Sequence, residues 1–170
     1  KKTPLSFQPA DKALSAKVTV SEPGAWVLYL SQDFGLRSRT PQGMKPGGRQ
    51  ENPTATEVVR SYRSAIAYAG DSQFAQKPLG LPFELSGLRH GVHLELTLTR
   101  DGKPLPGVPV TVFAGGRESD AGTTDSAGRV VWDASSVGKG QVLFAVDWTD
   151  KPAGGSYDRG LWSTSLSIQL

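Results

Sequence analysis

With 37% apolar and 21% charged residues, a chain of 170 residues can bury a core, and a net charge of only +3 argues against wholesale disorder. The absence of cysteine excludes disulfides, thiol catalysis and cysteine-ligated metal, and no run approaches the ~18 apolar residues of a membrane span. Twenty Gly and twelve Pro, spread without a period, predict many turns between short strands.

The first elements read as β. Ala16–Val20 alternates, Glu22-Pro23-Gly24 is a turn signal, and Ala25–Leu30 is apolar enough for a buried strand. Residues 34–53 (FGLRSRTPQGMKPGGRQENP) lose that periodicity and read as the longest irregular segment, where function concentrates. Residues 1–80 carry eleven Lys/Arg against six Asp/Glu, whereas residues 81–170 carry eight against ten. Arg37, Arg39, Lys45 and Arg49 lie between Phe34 and Gln50 with no acid among them. They offer a surface to an anionic partner, or they are the charges of a solvated loop. No recognition motif and no run of stacking aromatics accompanies them, which argues against nucleic acid.

Residues 54–70 (TATEVVRSYRSAIAYAG) read as the one α-helix. Thr54 and Glu57 have capping-box spacing, Gly70 is the stop, and Val58, Val59, Tyr62, Ile66 and Ala69 share one helical face. From here the pattern is β. Val92, Leu94, Leu96 and Leu98 alternate with His93, Glu95, Thr97 and Thr99, and Asp101-Gly102 turns the chain. Val108, Val110 and Val112 form the next strand, with Pro104, Pro106 and Pro109 placing its start at an edge. A turn at TDSAGR, a short strand at Arg129–Trp132, and a hairpin turn at DASSVGKG follow. QVLFAVDW and LWSTSLSIQL are the last strands, separated by a Gly-rich loop over 149–160. Short strands with regular turn signals predict a β-sandwich. The expected division is an N-terminal β region over 1–85, holding the loop and the helix, and a C-terminal sandwich over 86–170.

Few residues carry chemistry. The only histidines are His90 and His93, no Gly-x-Ser-x-Gly elbow occurs, and hydrolysis by a Ser/His/Asp triad has little to build on. His90-x-x-His93 supplies two imidazoles for a divalent transition metal, with Met44 or an acid to complete the set, if Gly91 bends the chain; on a straight strand, residues three apart face opposite sides. The alternative is two solvent-facing histidines at the entrance to a strand. Glu118, Asp120, Asp125 and Asp133 lack the spacing of a calcium loop, and Asp125 is better explained as a turn former before Gly128. Trp132 and Trp148 fall on apolar stripes and read as core, leaving Tyr157 as the freer aromatic for a partner or polymer.

The stretches GKPLPGVPVTVF and TTDSAGRVVWD resemble the β-sandwich module of transthyretin-like and carboxypeptidase-regulatory-like domains. PGAWVLYLSQ, VVRSYRSAIAYAG, PLGLPFEL, this module and LWSTSLSIQL, in that order over residues 18–170, resemble a bacterial domain-of-unknown-function family. That family is described as periplasmic components related to cobalt/nickel uptake. The resemblance implies an exported, non-enzymatic accessory of a membrane transporter or outer-membrane receptor, with a divalent transition metal as cofactor. Members usually enter through a His-x-x-Trp-like segment, which has no counterpart after Lys1, so no ligand is carried over. The expectation is a mainly β, Ig-like or transthyretin-like sandwich with one α-helix, in a periplasmic or secreted protein. His90 and His93 are its metal candidates, and Arg37, Arg39, Lys45, Arg49 and Tyr157 its partner-binding candidates. The alternatives are a structural or adhesion-type module and a carbohydrate- or polymer-binding module.

Overall fold

The structure, a computed structural model, describes residues 5, 8–10, 13–15, 26–69, 78–152 and 154–170. Every regular element among them is a strand. β1 (Gln8–Ala10) and β2 (Ala13–Ser15) pair only with each other. β3 (Trp26–Thr40), β4 (Gly43–Pro46) and β5 (Glu57–Ala69) come next. β6 (Phe83–His90), β7 (His93–Arg100) and the short β8 (Lys103–Pro104) follow. β9 (Pro109–Ala114), β10 (Arg117–Thr123) and β11 (Arg129–Asp133) precede the long β12 (Gln141–Asp150) and β13 (Arg159–Gln169).

Two sheets face each other as a β-sandwich. The larger has the order β10-β9-β12-β13-β5-β3-β4, and the smaller is β11-β7-β6 with β8 against β7. Pairing is antiparallel except between β13 and β5, which run parallel from Arg159↔Val59 to Ser167↔Ala67. The large sheet therefore draws strands from both sides of residue 85.

The core lies where the inward stripes meet. Leu94, Leu96 and Leu98 of β7 and Phe83 and Leu85 of β6 are fully buried against Val142, Phe144 and Leu166 of the large sheet. Trp132 packs edge-on to Phe144 at 5.3 Å between centroids, and Trp148 stacks on Phe83 at 6.1 Å, so both tryptophans serve the core as expected. Pro109 pairs with Thr123 of β10, but β12 pairs only with Thr111–Phe113 of β9. The missing N–H of Pro109 thus falls where the strand has no neighbour on its β12 side.

The expected helix over 54–70 is instead strand β5. Val58, Tyr62 and Ile66 are spaced by four, a repeat that shares one face in a helix and in a strand alike. Ser64 decides between them. It is buried on the same face as Tyr62 and Ile66, which only a period of two allows, and its hydroxyl bonds Thr164 Oγ1 and Phe83 O at 2.8 Å each. β-branched Val58, Val59 and Ile66 with Tyr62 and Tyr68 favour that outcome once β3 and β13 flank the segment. The proposed stop, Gly70, lies outside the described residues.

Residues 34–53 are likewise more regular than their composition suggests. β3 continues to Thr40 past a bulge between Asp33 and Leu36, and β4 returns along it. Only 47–56 remains as loop, and it is tied down: Glu51 accepts the Gly48 N–H at 2.8 Å, and Asn52 Nδ2 donates to Pro46 O at 2.8 Å. Trp26–Leu30 is half-exposed rather than buried, with Leu30 55% accessible, because one face of the large sheet points away from the sandwich. DASSVGKG is no hairpin turn, since it carries the chain from β11 in one sheet to β12 in the other. Ala16–Val20 and Glu22–Gly24 lie outside the described residues.

Candidate functional site

The two histidines close the β6–β7 hairpin. Its turn is Gly91-Val92, with Gly91 at φ 61°, a left-handed value that glycine adopts without strain. The register pairs His90 directly with His93, so their side chains leave the same face of the small sheet. The bend required of Gly91 is therefore present. On the next strand, Asp133 pairs with His93, and the Ala134 N–H donates to Val92 O at 2.8 Å, fixing the end of β11 beside the turn. The Ser135 N–H donates to Asp133 Oδ1 at 2.8 Å. That bond, with the charge of His93 adding to it, holds the carboxyl of Asp133 below its ordinary range. His90, His93 and Asp133 are all exposed. Among the described residues, no group of three or more His, Asp or Glu side chains is placed where it could hold a metal ion.

The basic residues do not act together. Arg49 forms a bidentate pair with Asp158, at 3.0 and 2.9 Å, and Arg39 pairs with Glu57 at 3.3 Å. Asp158 also accepts the Val58 N–H at 2.6 Å. Arg49 and that N–H hold its carboxyl below the usual range, so Arg49 ties the 47–56 loop to the loop before β13. Arg37 and Lys45 are exposed on β3 and β4, at opposite parities of that pair, since Arg37 pairs with Pro46 and Lys45 with Ser38.

Tyr157 is not free either. Its hydroxyl accepts from Arg100 Nη2 at 3.1 Å and donates to Asp150 Oδ2 at 3.2 Å. It caps a cluster that the sequence reading missed. Arg100, at the end of β7, pairs with Asp150, at the end of β12, and Asp150 Oδ1 accepts the Trp162 indole N–H at 3.1 Å. The guanidinium lies 3.9 Å from the Trp162 ring centroid and 5.0 Å from that of Trp148. Burial alone would raise the Asp150 carboxyl, but bonds from Arg100 and Trp162, the arginine charge and the Tyr157 bond together hold it low. A Cβ on Gly160 would collide with Asp150 Oδ1 and Trp162 Nε1, so the bare backbone there makes room for the cluster. Its signal was nonetheless in the sequence: Arg100 extends the inward stripe of Leu94, Leu96 and Leu98, and Asp150 that of Val142, Phe144, Val146 and Trp148.

A second buried acid was also missed. Glu84, 2% exposed, accepts the backbone N–H groups of Leu79, Gly80 and Leu81 at 2.6, 2.9 and 3.0 Å. This carboxyl group caps the backbone of the segment that leads into β6. Asp125 and Asp120 are turn formers. Asp125 Oδ1 accepts from Ala127 N and Arg129 N at 2.8 Å each, and Asp120 Oδ1 from Gly122 N at 2.7 Å.

A protein-family model described as "Domain of unknown function (DUF4198)" matches residues 2–150, and the chain belongs to that family. Comparison with curated proteins and with solved structures gives no match.

Proposed function

We propose that this DUF4198 chain is an exported, non-enzymatic binding protein, an accessory to transition-metal uptake that offers the His90/His93 hairpin tip to a divalent ion. What supports the reading is the direct cross-strand pairing of His90 with His93 on an exposed face. Adjacent strands set facing Cβ atoms about 4.5–5.5 Å apart, a spacing from which two imidazoles can reach one borderline-soft cation. The hairpin belongs to a sandwich whose buried stripes hold its backbone in place, so the pair is presented by a rigid support. The transthyretin-like character of the C-terminal strands belongs to this reading, as do export and a transporter or receptor as partner. Equilibrium dialysis against Ni²⁺, Co²⁺, Cu²⁺ and Zn²⁺ tests it. About one ion per chain is expected, lost when His90 and His93 are both alanine; equal retention by the double variant would refute the site.

A second reading, a module that presents a protein-binding surface, has its own observation. The outer face of the large sheet carries a shallow groove of about 310 Å³, with Leu28, Leu30 and Leu143 standing over a floor of Ala65, Ala67 and Ser165. Contiguous exposed apolar surface is the ordinary mark of a contact face. A photo-crosslinker at position 143 is expected to join a receptor or transporter component in envelope extracts, and Leu30→Arg to prevent it.

A further inference from the structure

We infer that the outer face of the large sheet is the interface of a symmetric dimer, occupied by a second copy of this chain. The inference rests on the second reading above, that this face is a contact surface, and names what it contacts. The register carries it. Outward residues of neighbouring strands stand in rows, and β13 is the middle strand of β9, β12, β13, β5 and β3. Over three successive rows β13 sends out Ser163, Ser165 and Ser167, so the centre of the face is flat. In the Ser167 row, Ala67 and Leu28 lie to one side, on β5 and β3, and Leu143 and Phe113 to the other, on β12 and β9. In the Ser163 row, Arg63 lies on β5 and Asp147 on β12.

A two-fold axis along β13 exchanges the two sides of the face and keeps each row in place. It sets Leu143 of one copy over the small Ala67 of the other, and Leu28 against Phe113. The same operation sets Arg63 against Asp147, twice in the dimer. Sheets pack face to face about 10 Å apart with their strands nearly aligned, and the serines of β13 allow that approach. Neither Arg63 nor Asp147 forms an ion pair among the described residues. The Arg63 guanidinium lies 5.8 Å from the Phe34 ring centroid, and Asp147 accepts the Ser163 hydroxyl at 2.6 Å. A partner of one charge sign would leave one of the two unmatched, whereas a second copy meets both. Leu30, Phe113 and Leu143 are exposed, and the dimer takes them out of water. Five strands about 4.8 Å apart and three rows about 6.7 Å apart give a face on the order of 500 Å² per copy. That is the size of a weak, reversible interface.

Sedimentation velocity of the purified chain, from about 1 μM to about 500 μM, tests the assignment. The samples are the wild type, Arg63→Asp, Asp147→Arg, the two changes in one chain, and an equimolar mixture of the two single variants. Circular dichroism melting checks that each variant folds. The wild type is expected to dimerise with rising concentration, and each single variant to associate at least about tenfold more weakly, since like charges then face each other. The double variant and the mixture are both expected to recover the dimer, because opposite charges again meet across the axis. A dimer indifferent to both charge reversals overturns this face as its interface. A monomeric wild type overturns the second copy, and a photo-crosslinker at position 143 then separates the causes. A product with Leu5, which also lines the groove, within one chain makes the amino-terminal segment the occupant. A product with an envelope component leaves the second reading standing without the dimer, and no product overturns both.

Discussion

Arg100 reaches from the last residue of β7 in the small sheet to pair with Asp150, the last residue of β12 in the large one. The pair fastens the two sheets at one end of the sandwich, and both side chains are less than a fifth exposed. Trp148 and Trp162 flank the guanidinium, so its charge meets two π faces as well as a carboxylate.

Breaking this pair from one side should cost more than removing it whole. Arg100→Met leaves Asp150 without its cationic partner, one of its three side-chain bonds unmade, a loss of about 3 kcal/mol. Arg100→Met with Asp150→Leu removes the unpaired charge and should be less damaging than the two single losses added together. Urea unfolding of the four proteins, read as a double-mutant cycle, measures the difference. Strict additivity would mean that the pair contributes nothing specific.

The same carboxylate gives stability a pH dependence. Burial would raise the Asp150 carboxyl, but its bonds from Arg100 and Trp162 prevail and hold it below its ordinary value near 3.8. A depressed folded value means that the contribution is complete above the unfolded value and lost as pH falls through the folded one. Between pH 5 and pH 2 the wild type should therefore lose more unfolding free energy than Asp150→Asn. Chemical denaturation across that range checks it, and parallel curves would refute it.

Tyr68 behaves in the opposite sense at high pH. Burial pushes its phenol up to about 12, the backbone bond with Gly87 opposes this, and the charge of Glu84 adds to the rise. The contribution from its neutral form is complete below the unfolded value near 10 and lost as pH climbs towards 12. Ultraviolet titration should show Tyr68→Phe losing the highest-pH tyrosinate transition. Loss of a transition near pH 10 instead would contradict the burial argument.

Two turn glycines with nearly the same φ should respond differently to alanine. Gly102 has φ 74° and open space around an added Cβ, so Gly102→Ala should cost only the left-handed strain, about 1 kcal/mol. Gly128 has φ 72°, but its Cβ would meet Leu98 O at 2.6 Å and Leu105 N at 2.9 Å, both backbone atoms. Gly128→Ala should cost at least about 2 kcal/mol more, because β7 and the 105–108 segment must shift. Thermal melts decide it, and equal losses would show that the backbone gives way freely.

Some of this was legible in the chain. The alternation of Leu94, Leu96 and Leu98, and of Val142, Phe144 and Val146, named the inward stripes correctly, since a half-buried strand writes its two faces at period two, but Val92, read with the first stripe, lies in the turn before β7 and is 49% exposed. Asp125 was readable as a turn former because its bonds span only two to four residues. The 54–70 segment misled because four-residue spacing is common to both periods, and the tie-breaker was a polar residue, Ser64, that no hydrophobic count includes. The 34–40 segment misled because much of its length is exposed, and an exposed strand has no apolar stripe to show.

The candidate site divides in the same way. Sequence alone identified two histidines three apart and the glycine that had to bend between them, because a hairpin turn is local chemistry. It also determined that the protein would be built mainly of strands. Only the tertiary structure brought Asp133 beside His93, paired Arg100 with Asp150 across the sandwich and tied Arg49 to Asp158, 109 residues away. Those juxtapositions depend on which strands become neighbours, and that order is set by how all the buried stripes pack together rather than by any one stretch of chain.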